Sequence, residues 1–448
     1  MKTTDGAELA PDLLVVLRKV SIRLLPFLLI LYIVSYLDRI NLSFAALDMN
    51  QELRFSDESF GFGAGIFFLS YCLFGIPSNL VIEKLGPRLW ISTIMVIWGI
   101  ITVSMCLVHD PMTFYILRFA LGAAEAGFFP GMLLYLTYWF PAKVYGTAVA
   151  RFMTAIPLAG LLGSLVAAKA MDMSGTLGLP GWKWLFLVTG APAILLGLLV
   201  PLLIPNKPGE AKWLSKEEAA CLEAALPQKK APAEDSIGAA KVSPQILSAF
   251  KSLAIWRFAL LYFSLTIAMY GFQLWLPQII KTFGSSNVET SLLSALPALF
   301  QALGMLLIAF SSDRLSERRF HVAAASTCTV LGLALTCLSS TPWIKLAGLC
   351  LGAFGIWGAV GPFWALARES LTIEAQGAGI AFINSVGNLG GFAGPYIVGL
   401  IKQYTHAFES SLEALGAAAI ISAVLAVTSK NNKFREIPIE DVLIERQN

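Results

Sequence analysis

Two stretches decide the fold: NLVIEKLGPRLW (79–90) and AFSSDRLSERRF (309–320). Each closes a long apolar run, then sets out an acid, a base, a turn residue and an arginine. Glu83 aligns with Asp313, Gly86 with Ser316, and Arg88 with Arg318. A second pair falls at nearly the same offset. YGTAVARFMTAIPLAGLLGS, from Tyr145, matches QGAGIAFINSVGNLGGFAGP, from Gln376, through Gly146/Gly377, Gly160/Gly391 and Gly163/Gly394. The chain therefore reads as one unit written twice. Two repeated membrane halves with a site between them is a transporter plan.

Working outward, the 448 residues are 56% hydrophobic and only 14% charged. An average soluble domain carries about a quarter charged residues, so the composition points to an integral membrane protein. A spanning helix needs roughly 20 mostly apolar residues. Twelve runs qualify: 21–47, 60–82, 89–108, 112–139, 147–170 and 183–204, then 255–280, 290–311, 321–340, 343–366, 376–401 and 411–429. They are called spans 1 to 12 below. The expected fold is an all-α membrane protein with twelve transmembrane helices in two pseudo-symmetric six-helix bundles. Residues 1–204 form the first bundle, 205–254 a polar linker, 255–430 the second bundle and 431–448 a tail. Within the linker, LSKEEAACLEAAL (214–226) predicts a short surface helix, with Ser215 as its cap and Glu218 completing a capping box.

The formal net charge is +3, and no dense Lys/Arg stripe suggests a nucleic-acid partner. Arg18, Lys19, Lys84, Arg88, Lys143, Arg314, Arg318, Arg319 and Arg368 all fall on the side of the linker and the termini. By the positive-inside rule that side is cytoplasmic, in a plasma membrane, or an inner membrane if the source is bacterial. Six scattered cysteines show neither metal-ligand spacing nor a disulfide framework. No metal-binding, nucleophilic or phosphate-loop motif appears, so no enzyme, cofactor or metal is expected. His109, His321 and His406 lie near predicted helix ends. Any proton relay at mid-membrane therefore falls to carboxylates.

Four charges lie at membrane depth. SYLDRINLS (35–43) sets Asp38 beside Arg39 in span 1, and ILRFALGAAEAGFFPGML (116–133) carries Arg118 and Glu125 in span 4. A charge there costs roughly 3 to 15 kcal/mol, so each marks a functional candidate. Arg118 and Glu125 are seven residues apart, close to two turns, and share a face about 10 Å along the axis. The glycine and alanine between them let another helix or a ligand approach closely. Asp38 and Arg39 point about 100° apart and should look to different partners. Spans 1 and 4 placed side by side would let acids and bases pair across them. Such pairs could lock the two spans together with no transport role. Alternatively, the arginine forks suit a carboxylate and the acids carry protons. Burial favours the neutral carboxyl and a nearby arginine the charged one, so an arriving anion can shift the balance.

These motifs resemble the major facilitator superfamily, whose signature in the loop between spans 2 and 3 recurs in both halves. More narrowly, YLDRINLSFAALDMNQEL, GIPSNLVIEKLGPRLW and LRFALGAAEAGFFPGM resemble its anion:cation symporter family. That family takes in bacterial carriers of galactonate, tartrate, phthalate and hydroxyphenylacetate. It also includes the animal sialic acid and glutamate vesicular carriers. The resemblance implies proton coupling at Asp38 and Glu125. It implies substrate contact at Arg39 and Arg118, with Asn388 of span 11 and the tyrosines Tyr36 and Tyr71 beside them. Tyr270, Gln273 and Trp364 join as candidates from spans 7 and 10, though packing explains each of these polar or aromatic groups about as well. Glu83, Arg88, Asp313, Arg314 and Arg318 are gating candidates. Glu83 stands where the superfamily usually has aspartate, and Asn79 where it usually has glycine.

The leading expectation is a proton-coupled symporter that imports a small organic carboxylate by alternating access, working as a monomer in the lipid bilayer. Span 5 is poor in amide side chains, which favours a tartrate-like hydroxy-dicarboxylate or an aromatic acid over a long polyhydroxy acid. An anion exchanger or a sodium-coupled carrier keeps the same fold. A membrane sensor without transport would ordinarily add an output domain, and the linker is too short and polar for one.

Overall fold

The structure is a computed structural model. It describes residues 11–226, 252–371 and 373–429, apart from the side chains of Pro11, Ile76, Asn79, Leu80, Glu83 and residues 373–378. The gating candidate Glu83, the tail and much of the linker thus lie outside the described residues.

Every regular element described is helical. Span 1 is Pro11–Glu52, span 2 Asp57–Leu85, span 3 Pro87–Ser104 and span 6 Gly181–Leu203. Span 4 is two helices, Pro111–Glu125 and Phe128–Thr137, and so is span 5, Ala142–Met153 and Ala155–Asp172. In the second half, span 7 is Leu253–Lys281, span 9 Arg319–Leu338 and span 12 Glu409–Val427. Span 8 breaks into Asn287–Leu293 and Ala295–Leu315, and span 10 into Pro342–Gly358 and Val360–Ser370. Span 11 comprises Ile373–Asn388 and Gly390–Thr405. Eleven of these spans are long and apolar enough to cross a bilayer. Span 11, part of whose side chains is not described, is the twelfth.

The helix starts follow from local chemistry. Ser56 accepts from the Ser59 N–H at span 2, and Asp110 from the Thr113 N–H at span 4, with Pro111 in the first helical position. Ser286 and Glu289 form a reciprocal capping box at span 8. The turn that ends span 2 uses Gly86 at φ +80°, and the equivalent turn after span 8 uses Ser316 at φ +49°. Both repeats need a positive φ there, and only the first half supplies glycine.

Breaks recur symmetrically, in spans 4 and 10 and in spans 5 and 11. Fully buried Trp98, Trp139, Trp182 and Trp275 anchor the packing. The linker chain docks on the first bundle: Trp213 stacks on Trp139 at 5.7 Å, and Lys19 of span 1 reaches Glu218 at 2.7 Å. Ser215 and Glu218 close the capping box of the linker helix Lys216–Ala225.

The halves meet closely at one end. Lys402 pairs with Asp57 at 2.7 Å while lying over the rings of Trp275 and Phe408. The Asp57 N–H donates to Gln403 Oε1, and Asn287 donates to Asp48. Gly61 and Gly65 face the backbone of Pro395, Gly399 and Phe392 with no room for a Cβ. This contact between spans 2 and 11 continues inward to Cys72, whose Sγ lies 3.6 Å from the Ser385 carbonyl.

Candidate functional site

Spans 1, 2 and 4 bring the four intramembrane charges together. Gly122 makes this possible: a Cβ there would strike the Phe67 backbone and the Ser70 hydroxyl. The small residues between Arg118 and Glu125 thus admit span 2. Arg39 Nη2 donates to Glu125 Oε2 at 3.4 Å, across spans 1 and 4. The pair is loosely made, with Arg39 Nε and Glu125 Oε1 both buried and lacking hydrogen-bond partners. The Arg39 side chain keeps 16% of its surface exposed, while that of Glu125 keeps none.

Arg118 departs from the expected acid–base pattern. It donates to the carbonyls of Gly63 and Ala64 at 3.3 Å each, not to a carboxylate. The small GFGAG segment of span 2 lets the guanidinium reach the helix backbone. Phe67 lies between the two arginines, with Arg118 4.8 Å and Arg39 5.5 Å from its ring centre. Tyr71 lies 5.1 Å from Arg39. Two cations against aromatic faces, one on carbonyls and one on a weak ion pair, leave a positively biased surface.

Asp38 faces the other way, into the first bundle. It accepts from Thr102 of span 3 at 3.2 Å and from the Asn41 amide at 3.3 Å. Asn41 also donates to Thr189 of span 6 at 2.9 Å. All four side chains are buried. The carboxylate is therefore held by neutral donors. Asn41, Thr102 and Thr189 were missed in the sequence, although Asn41 lies one turn after Asp38 and could have signalled them.

Across the halves, the Tyr36 hydroxyl meets the Gln273 amide at 3.4 Å, and its ring approaches Trp357 at 6.4 Å. Tyr270 packs against Phe68 at 4.1 Å. Trp364 is elsewhere: it packs on Tyr262 and Phe363, and Trp357, two turns earlier in span 10, takes the position beside Tyr36. Asn388 is half-buried at the break of span 11.

The gating candidates form contacts inside each half. Arg318 pairs with Asp313 at 2.6 Å and Glu369 at 3.0 Å, tying the turn after span 8 to span 10. Arg88 donates through its backbone to Asn206 at 3.2 Å and through its guanidinium to the Pro201 carbonyl. Arg314 is exposed. His321 pairs with Glu317 at 3.0 Å at the start of span 9.

Duplicated six-helix bundles around a buried charged site define a secondary transporter. Residues 28–395 match the Major Facilitator Superfamily, and the chain belongs to that family. It is 42% identical to a "Putative tartrate transporter" of Agrobacterium vitis over 92% of this chain and 90% of that one. A second protein of that description and organism is also 42% identical, covering 95% and 98%. A "Quinolone resistance transporter" of Acinetobacter baumannii is 39% identical, covering 92% and 94%. Among solved structures, the inward-facing, occupied form of a bacterial homologue of the human lysosomal transporter Spinster superposes with a TM-score of 0.74. It is 16% identical and covers 90% of this chain and 95% of that one. A D-xylose–proton symporter gives 0.71 at 17% identity, covering 92% and 98%. The chain is thus a multi-pass membrane transporter of a small molecule, not an enzyme.

Proposed function

We propose that this transporter is a proton-coupled symporter that imports a small organic dicarboxylate of the tartrate type. The observation that carries the reading is the incompletely satisfied pair of Arg39 and Glu125 beside Arg118. With both acids ionised, Asp38 and Glu125 balance Arg39 and Arg118, and the set is neutral. Each proton taken up leaves one uncompensated positive charge in a buried site, which is costly. One carboxylate of a substrate can neutralise it. A dicarboxylate then travels with two protons. The two relatives described as tartrate transporters support this substrate class, and the guanidinium forks fit carboxylates.

The Lys and Arg distribution supports cytoplasmic termini and linker in the plasma membrane. The tight Asp57–Lys402 end then faces outward. Arg39, Arg118, Tyr36, Tyr71 and Gln273 are the proposed anion contacts, and Asp38 and Glu125 the proton carriers.

Purified protein in liposomes tests the reading through tartrate uptake under an imposed pH gradient. Glu125→Gln is expected to lose gradient-driven accumulation and to retain tartrate exchange. Accumulation that survived neutralising both Asp38 and Glu125 would overturn the coupling assignment. A sodium-coupled carrier is the second reading, favoured by the oxygen-bearing cluster of Asp38, Asn41, Thr102 and Thr189. Uptake that followed sodium at fixed pH would select it.

A further inference from the structure

Two apolar grooves meet on span 1 at the end that carries the linker. One, of about 550 Å³, lies between span 1 and the start of span 5 and is lined by Leu17, Phe140, Val144 and Arg151 among others. The other, of about 410 Å³, is lined by Val15, Lys19, Arg23 and Trp213. Arg18 and Ile22 border both. Val15 is 66% and Ile22 67% exposed. Lys19 is engaged by Glu218. Among the described residues, no carboxylate pairs with Arg18 or Arg151.

Depth fits a headgroup. A bilayer with its headgroup regions is about 45 Å thick, which is about 30 residues of helix at 1.5 Å each. Counting back that far from Asp48, at the opposite end of span 1, reaches Arg18. The arginine thus lies at the level of lipid phosphates, on the border of both grooves.

We infer that this surface binds an anionic phospholipid, with its headgroup on Arg18 and Arg151 and an acyl chain in the larger groove that both arginines line. Charge complementarity and the apolar groove beside the two arginines commit the surface to a lipid. A water-borne anion would need the basic groups and have no use for the grooves. Basic pockets of this kind on the cytoplasmic side recognise anionic headgroups. The inference concerns the first bundle's outer surface and is independent of the transported substrate.

The test is native mass spectrometry of the full chain in detergent, titrated with phosphatidylglycerol or phosphatidylcholine. Wild type is expected to retain phosphatidylglycerol preferentially. The double variant Arg18→Gln/Arg151→Gln should bind it roughly twenty-five-fold more weakly at low salt, since each basic residue near an anionic headgroup contributes a factor of roughly five. Ile22→Asn alters an exposed groove residue without changing charge, and should also weaken retention. A melting curve for each variant separates loss of lipid from loss of fold. Equal binding of the two lipids by wild type overturns the proposal. So does unchanged binding in a folded double variant or in Ile22→Asn. Displacement of the lipid by inorganic phosphate would assign the arginines to a water-borne anion instead, and the proposal fails.

Discussion

At the scale of the residue, Asp38 and Arg39 are neighbours in the chain and strangers in the structure. Arg39 turns to Glu125 and the aromatic faces of Phe67 and Tyr71, while Asp38 turns to Thr102 and Asn41. Arg39→Lys keeps the charge and loses the fork. It is expected to weaken tartrate binding by about 2 kcal/mol, roughly thirty-fold, by calorimetry. Asp38→Asn should leave binding largely intact and abolish accumulation. Equal loss of binding in the two variants would refute the division of labour. Thr102→Val removes a donor from a buried carboxylate and should cost about 1–3 kcal/mol of stability, seen as a lower melting temperature in detergent. The four charges were legible in the sequence because charge in an apolar run is expensive. The shell around Asp38 was not, since threonine and asparagine are ordinary inside membrane helices. Nor were the backbone carbonyls that receive Arg118, because no side-chain pattern announces them.

At the scale of the element, the repeat keeps a positive-φ turn at the same place in both halves. Gly86, at φ +80° and ψ 154°, takes a conformation open to glycine, whereas Ser316, at φ +49° and ψ 36°, is left-handed and strained for a residue with a side chain. Ser316→Gly is therefore expected to stabilise the second half by about 1 kcal/mol, measurable as a raised melting temperature. The run lengths revealed where helices lie. They did not by themselves reveal that spans 4, 5, 8, 10 and 11 are broken; the signal lay in the prolines three residues past Gly127, Thr154, Ser294 and Ala359, and in Asn388 and Gly390 flanking Leu389. The linker helix adds a salt-sensitive element. The Lys19 ammonium, with the Ser215 N–H, holds the Glu218 carboxyl below the usual carboxylate range. The contribution is present above the ordinary glutamate range and is lost as pH falls through the lowered value. Lys19→Met should speed protease cleavage within the linker at neutral pH, and that difference should vanish at high salt.

At the scale of the whole molecule, the duplicated loops and the twelve runs were enough to reach the two-bundle architecture. The end at which the bundles touch was not, because it depends on contacts between residues some 340 positions apart, such as Asp57 with Lys402. At that end Gly61 and Gly65 meet the backbone of span 11 directly. A methyl at Gly61 would have nowhere to go. Gly61→Ala is expected to prop that end open, so that an impermeant maleimide labels a cysteine placed at buried Ser43 several-fold faster. Labelling as slow as in the Ser43→Cys parent would show that the contact is not what closes that end. The closure also has a consequence for economy of transport. Where Gly61 and Gly65 seat on the backbone of span 11 there is no side chain to withdraw, so parting the halves there means breaking the few side-chain ties beside it, such as Asp57 with Lys402. Such a seat has no spare tolerance: one misplaced atom in it turns a tight cycle into a leak.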